Sequence, residues 1–500
     1  MNRVSKMCLG TSFIRKMLNQ KQTPLLDAIK ACKTHDHAPF YTPGHKRGEG
    51  ISRPLADLLG TKVFRADLTE LANLDNLFAP QGVILAAQEL AAEAFGAEKT
   101  WFLVNGSTCG IEAAILATCS TEDKIIMPRN VHSSVISGLI LSGAIPIFIN
   151  PEYDPVLDIA HSITPQAVQT ALEKHPDTKA VLVVYPTYYG VCGDLQAIAQ
   201  ITHQYHIPLL VDEAHGAHFA FHPDLPPSAL AAGADLTVQS THKVLGAMTQ
   251  ASMLHVQGDR IDIDRVNKAL QLVQSTSPSY ILLASLDAAR QQMALCGKGL
   301  MSRTLELAEV ARRRISEISR LSVLQMPNLD QTRLTVTVSG LGLTGFAAEE
   351  ILDEKLGVTA EFASLQHLTF IISLGNTLSD IEQLVQGFMR LRSGELLRLR
   401  SVTGGVGSGE STRKGFVLWD NLGCVSPREA FFAVSEILPL SETSDRICTE
   451  IVCPYPPGIP ILMPGELITP AALEYLQQIQ SMGGFITGCA DTSLKTLKVC

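Results

Sequence analysis

Between residues 80 and 260 the apolar positions of this chain alternate between two periods. Apolar side chains recur every three to four residues over 81–95 (QGVILAAQELAAEAF), 110–118, 133–142, 164–174 and 195–203, which predicts helices. Short, uniformly apolar runs lie between them at 99–104 (KTWFLV), 124–128, 145–149, 180–185 (AVLVVY), 208–212 (PLLVD) and 236–240, which predicts strands. Strands apolar on both faces and separated by helices indicate a mostly parallel sheet covered on both sides. The fold class is therefore α/β, and a ligand belongs at the carboxyl ends of those strands.

A second unit starts near residue 330. Strand-period residues 333–339 (RLTVTVS), helix-period residues 346–356 and the run 368–373 (LTFIIS) predict a smaller α/β layer. Residues 401–415 (SVTGGVGSGESTRKG) have the composition of a flexible Gly/Ser loop. Residues 454–464 (PYPPGIPILMP) are too rich in proline to be regular helix.

Composition narrows the partners. Five hundred residues imply two or three domains, and 46% hydrophobic against 18% charged residues implies a packed interior rather than disorder or a coiled coil. A net charge of −9 argues against the basic surface that a nucleic acid requires, leaving small molecules as partners. The mean hydropathy of +0.17 raises the question of a membrane span. The long uncharged stretch at 130–151 is broken by His132, Gly138, Gly143 and Pro146, so none is expected. Eleven cysteines without a Cys-x-x-Cys pair or regular spacing fit neither a disulfide framework nor a zinc site, and point to a reducing cytoplasm. Residues 1–22 carry Arg3, Lys6, Arg15, Lys16 and Lys21 with no acid. They read as a transit-like bias, a basic extension, or a stretch preceding initiation at Met17, without the apolar core of a secretion signal.

Polar residues gather where the strands end. Asn105-Gly106-Ser107-Thr108 runs from a strand into a helix, offering N–H groups and hydroxyls to an anion such as phosphate, or simply capping the helix. Strand 208–212 ends on Asp212 and continues through Glu213 to His215 and His218; strand 236–240 ends on Ser240 and continues Thr241-His242-Lys243. An ammonium at that place is costly to bury unless paired or deprotonated. A lysine of lowered basicity forms imines with carbonyl compounds, pyridoxal phosphate among them. An Asp on the neighbouring strand end is the group that keeps that cofactor's pyridine nitrogen protonated. His132, at a helix start, suits either stacking on a flat ring or a structural role. His215 and His218 supply two ligands and no third, so no metal is expected.

Several segments together resemble a known family: Tyr41-Thr-Pro-Gly-His-Lys46, Phe102-Leu-Val-Asn-Gly-Ser-Thr108, Pro128-Arg-Asn-Val-His132, Val211-Asp-Glu-Ala-His-Gly-Ala-His218, Ser240-Thr-His-Lys243 and the run from Pro454 to Glu466. They resemble the ornithine/lysine/arginine decarboxylases of the aspartate-aminotransferase-like, fold type I pyridoxal-phosphate class, over roughly residues 20–500. The likeness is greatest to the short bacterial biosynthetic arginine decarboxylases.

The resemblance implies a role for each residue. Lys243 holds the cofactor as an imine, Asp212 partners its ring nitrogen and His132 stacks on the ring. Gly106, Ser107, Thr108, Ser240 and His242 surround the phosphate, and Lys243 or His242 returns a proton to Cα. The catalytic set is then Lys243, His242, Asp212 and His132. His215 also belongs at the cofactor, at a position where acid-inducible relatives carry tryptophan. Thr276, within Ser275-Thr-Ser-Pro-Ser-Tyr280, reaches the phosphate of a neighbouring subunit in a homodimer or higher oligomer; read locally, the same segment is a turn before a helix at 281–292.

The resemblance also implies the layout: a basic extension (1–22), an N-terminal arm (23–50), a large cofactor-binding domain (51–322), a small α/β domain (323–400), the loop (401–415) and a C-terminal decarboxylase domain (416–500). The implied reaction is decarboxylation of a basic amino acid for polyamine biosynthesis, arginine first, lysine second and ornithine third. Transamination or side-chain cleavage on the same cofactor is the alternative chemistry. A catalytically silent regulatory homologue is the non-enzymatic one, against which the intact site set counts. Glu450 and Glu466 are candidates for a guanidinium partner. Finally, Gly340-Leu-Gly-Leu-Thr-Gly345 with Glu361 beyond it matches part of a dinucleotide fingerprint, but no second mononucleotide-binding half follows, so these glycines read as a strand-to-helix turn.

Overall fold

A computed structural model of the chain describes residues 17–34, 37–393, 423–455 and 458–500. The Gly/Ser loop expected at 401–415 and residues 1–16 of the basic extension lie outside the described residues.

The central sheet has seven strands: β1 (Lys99–Leu103), β2 (Lys124–Pro128), β3 (Ile145–Ile149), β4 (Ala180–Val184), β5 (Leu209–Asp212), β6 (Leu236–Gln239) and β7 (Ser252–Val256). Their order is β1-β7-β6-β5-β4-β2-β3. Only β7 runs antiparallel to its neighbours, β1 and β6. Six of the seven were legible as apolar runs. β7 (SMLHV) was not, because its His255 is polar in sequence but buried in the fold, where Nδ1 meets Thr100 Oγ1 at 2.7 Å and Nε2 meets Gln239 Oε1 at 3.2 Å.

Successive strand residues face opposite sides, so the sheet carries two cores. Val181, Val211 and Met253 pack with helices α1 (Pro24–Thr34) and α2 (Val83–Phe95) on one face. Leu182, Leu210 and Leu254 pack with α3 (Gly106–Thr118) and α4 (Ser133–Ser142) on the other. Helix α3 starts at Gly106, four residues earlier than expected. Asn105 takes the cap position and Gly106, at φ +76°, turns the chain, so Ser107 and Thr108 lie in the first helical turn rather than in a loop.

Helix α5 (Tyr280–Ser316) is 37 residues long, far beyond the expected end at 292. Gly297 and Gly299 resemble a helix stop in sequence, but Gly297 is a packing position, where a Cβ would stand 3.1 Å from Phe221. The helix leaves the first core and enters a third, in which Leu307, Ala311 and Ile315 meet Leu334, Val336 and Leu368. That third core therefore recruits chain well before residue 323. Its sheet, β8 (Ser322–Val323), β9 (Arg333–Thr337), β10 (Phe362–Ala363) and β11 (His367–Ile371), has the order β8-β9-β11-β10 and is antiparallel throughout. Helices α6 (Gly345–Leu356) and α7 (Leu378–Ser393) cover it.

The C-terminal unit has a fourth core, with Val452, Leu476 and Val499 under helix α8 (Pro470–Ser481). Residues 17–22 are docked rather than a free extension: Arg290 donates to Gln20 O at 2.9 Å and to Gln22 O at 2.7 Å. Among the described residues no helix is long and apolar enough to cross a membrane.

Candidate active site

Parallel strands deliver their last residues to one edge, where the neighbouring ends of β5 and β6 meet the first turn of α3. Strand β5 ends on Asp212, 6% exposed, whose Oδ1 accepts from Ala214 N at 3.1 Å. Just after β6, buried Ser240 donates to Ser107 Oγ at 2.7 Å, joining that strand end to the first turn of α3. Lys243 follows in the short helical turn Thr241–Val244, and its Nζ lies 3.0 Å from His215 Nε2. Burial pushes the Lys243 amine below ordinary lysine basicity; Asp212 opposes this and Arg333 adds to it.

Two further imidazoles frame the amine. His132 caps α4, accepting Ser134 N at Nδ1 (3.1 Å), and burial lowers its basicity against the opposing charge of Asp212. Gly458 lies against its ring: Ser133 N donates to Gly458 O at 3.1 Å, and a Cβ on Gly458 would stand 3.3 Å from His132 Nε2. His242 donates from Nδ1 to Ala251 O at 3.0 Å, since a carbonyl only accepts. In the neutral ring the lone pair is therefore on Nε2, and burial keeps the ring neutral to lower pH than free histidine.

Two residues expected at the phosphate are exposed. Thr108 is exposed on the first turn of α3. Thr276 is exposed on a loop tied to the α3 cap, where Ser275 N donates to Asn105 Oδ1 at 3.5 Å. That bond ties the loop carrying Thr276 to the N-terminus of α3.

Sequence reasoning missed three neighbours of the site. Arg333, the first residue of β9, is fully buried and donates from Nη2 to His215 Nδ1. The Tyr188 ring stands edge-on to His215 at 4.7 Å, and its hydroxyl donates to Glu361 Oε1 at 2.8 Å. Glu361 is exposed, and its negative charge favours the protonated forms of Lys243 and His242. A charge opening an apolar strand reads as a solvated strand end, which hid Arg333. The only signal for Tyr188 was its place just after strand 180–185.

Neither carboxylate considered for a guanidinium is available. Glu466 holds Arg129 with two oxygens, at 3.1 and 3.0 Å, and Arg129 also donates to Pro460 O and Ile461 O. Glu450 accepts Ala490 N at 2.7 Å and Lys498 N at 2.8 Å. His215 and His218 also turn apart, His218 going to Asp330 (3.3 Å) and Thr332 (3.2 Å). Among the described residues no group of three or more His, Cys, Asp or Glu could hold a metal ion.

The set fits pyridoxal phosphate. It offers an amine of lowered basicity, a buried carboxylate on the adjacent strand, a flat imidazole, and a hydroxyl pair at the N-terminus of a 13-residue helix. Thr241 Oγ1, buried beside Ser240 and without a hydrogen-bond partner among the described residues, leaves one more hydroxyl to spend.

The chain is similar to known proteins over nearly its whole length. The family profile "Orn/Lys/Arg decarboxylase, major domain" matches residues 23–335, and "Orn/Lys/Arg decarboxylase, C-terminal domain" matches 425–490. Arginine decarboxylase of Bacillus anthracis is 40% identical over 490 residues, 96% of this chain and 98% of that protein. Arginine decarboxylase of Bacillus subtilis (strain 168) is 39% identical, with the same coverage. The solved structure of lysine decarboxylase A from Pseudomonas aeruginosa superimposes with a TM-score of 0.81 at 24% identity, covering 96% of this chain and 80% of that one.

Proposed function

The chain belongs to the Orn/Lys/Arg decarboxylase family, and from that premise we propose that it removes the α-carboxylate of L-arginine, giving agmatine and carbon dioxide. It is a pyridoxal-phosphate-dependent amino-acid decarboxylase. Arginine is favoured over lysine because relatives named arginine decarboxylase are 39–40% identical across the chain, whereas the lysine decarboxylase of Pseudomonas aeruginosa is 25% identical.

The observation that carries the reading is the meeting of Lys243 and Asp212, at two adjacent strand ends, with the Ser240–Ser107 pair that joins them to the first turn of α3. When bound, pyridoxal phosphate supplies a protonated ring that accepts the electron pair left when carbon dioxide departs. Asp212 holds the proton on the ring nitrogen. His132, pinned by Ser134 and Gly458, orients the ring. Ser107, Thr108, Ser240 and the N–H groups opening α3 from Gly106 hold the phosphate. Lys243, or His242 through Nε2, returns a proton to Cα. Glu361 takes the place first considered for Glu450 and Glu466: it is exposed, oriented by Tyr188, and close enough to the site to favour positive charge there.

The active unit is a homodimer in which Thr276 meets the phosphate of the other subunit; exposed Leu58 and Leu59, beside the N-terminal arm, suit burial there. The free described cysteines suit a cytoplasmic setting.

Incubation with arginine, lysine and ornithine, followed by mass spectrometry, separates agmatine, cadaverine and putrescine. Agmatine should dominate; cadaverine as the main product would overturn the choice of arginine. Borohydride reduction should fix the cofactor to Lys243 and to no other lysine, and Lys243→Ala should lose turnover by at least ~10²–10⁴-fold.

A further inference from the structure

The hydrogen bonds around His215 have a direction. Arginine has only donors, so the contact between Arg333 Nη2 and His215 Nδ1 makes Nδ1 an acceptor. A neutral imidazole with its lone pair on Nδ1 carries its hydrogen on Nε2. Nε2 faces Lys243 Nζ at 3.0 Å. Two donors cannot share that contact, so Nε2–H donates and Lys243 accepts, which an ammonium cannot do.

We propose that Arg333 is a positioning residue: by donating to Nδ1 it fixes the His215 tautomer whose Nε2–H points at Lys243, and so holds Lys243 as a free amine. A free amine is the form that condenses with an aldehyde, losing one water. The inference rests on the reading of Lys243 as the imine-forming lysine.

The surroundings support the direction of this relay. Arg333 and His215 are buried, and Tyr188 stands edge-on to His215, which confines the ring. The other groups facing this cluster are His132 and His242, whose basicity burial lowers, the carboxylate of Asp212, and Glu361 through Tyr188. Asp212 and Glu361 favour an ammonium; Arg333, directly and through His215, acts against them.

The test uses the full chain without cofactor, so it does not depend on decarboxylation. Competitive labelling with acetic anhydride across pH, read by peptide mass spectrometry at Lys243, measures the free-amine fraction. Replacing Arg333→Met should raise the labelling midpoint by about one pH unit, a ~10-fold loss of free amine at neutral pH. Arg333→Lys, which keeps a donor, should restore most of it. In a His215→Phe background, Arg333→Met should move the midpoint much less, because the route through the imidazole is gone. An equal shift in both backgrounds, or no shift, would overturn the relay. Should Arg333→Met fail to fold, ¹⁵N shifts of His215 in the unaltered chain decide: Nε2–H upholds the relay and Nδ1–H rejects it. Labelling at Lys243 is independent of borohydride trapping, so failure of the relay and failure of the imine assignment are told apart.

Discussion

Asp212 and His255 are both buried beside the same sheet, yet they predict opposite kinds of experiment. Asp212→Asn keeps the shape but cannot hold a proton on a ring nitrogen, so kcat should fall by about 10²-fold or more while the fold is unchanged. Retention of the cofactor through dialysis, followed by absorbance, should weaken in parallel. His255 concerns stability instead. Burial pushes its imidazole down to about 3, from 6.5 when free. Below pH 6.5 the unfolded chain binds a proton there that the folded chain refuses, so stability present above that pH is lost as pH falls toward 3. The loss is about 1.4 kcal/mol per pH unit for one group. Urea titrations at pH 7 and pH 5 should show that decrement, and His255→Gln should reduce it. Lys243, Asp212, Ser240 and Ser107 were legible because each ends an apolar run or follows it within three residues. Arg333, Tyr188 and Glu361 were not, because the contact between Arg333 and His215 spans 118 positions and leaves no local pattern.

At the scale of elements, the glycine-rich turn after β9 shows how a motif can mislead. Its strand belongs to an antiparallel sheet, so it is not a dinucleotide-binding unit. Gly345 is demanded by packing: a Cβ there would stand 2.2 Å from Ser364 O and 2.3 Å from His367 O. Gly345→Ala should therefore lower stability by about 1–3 kcal/mol, read as a lower urea midpoint, without conferring or removing NADH binding. The long α5 was misread for the converse reason, since Gly297 breaks the periodicity while serving the packing.

For the whole molecule, the contact that matters most to the site joins the C-terminal unit to the end of β2. Arg129, 2% exposed, gives its guanidinium to Glu466, Pro460 and Ile461, three residues before His132 meets Gly458. Glu466→Gln should cost about 3–5 kcal/mol in docking of the C-terminal unit, because it leaves a buried guanidinium without its countercharge. Faster proteolytic release of that unit, with weaker cofactor retention, is the expected readout. The docking also sets a timetable. A chain made from its N-terminus has produced Lys243, Asp212 and His132 long before Gly458 and Glu466 emerge, so the ring-binding face waits open through the second half of translation. Closure of that face therefore comes later than the sheet that carries Lys243 and Asp212, once residues 458–466 have emerged and docked against the end of β2.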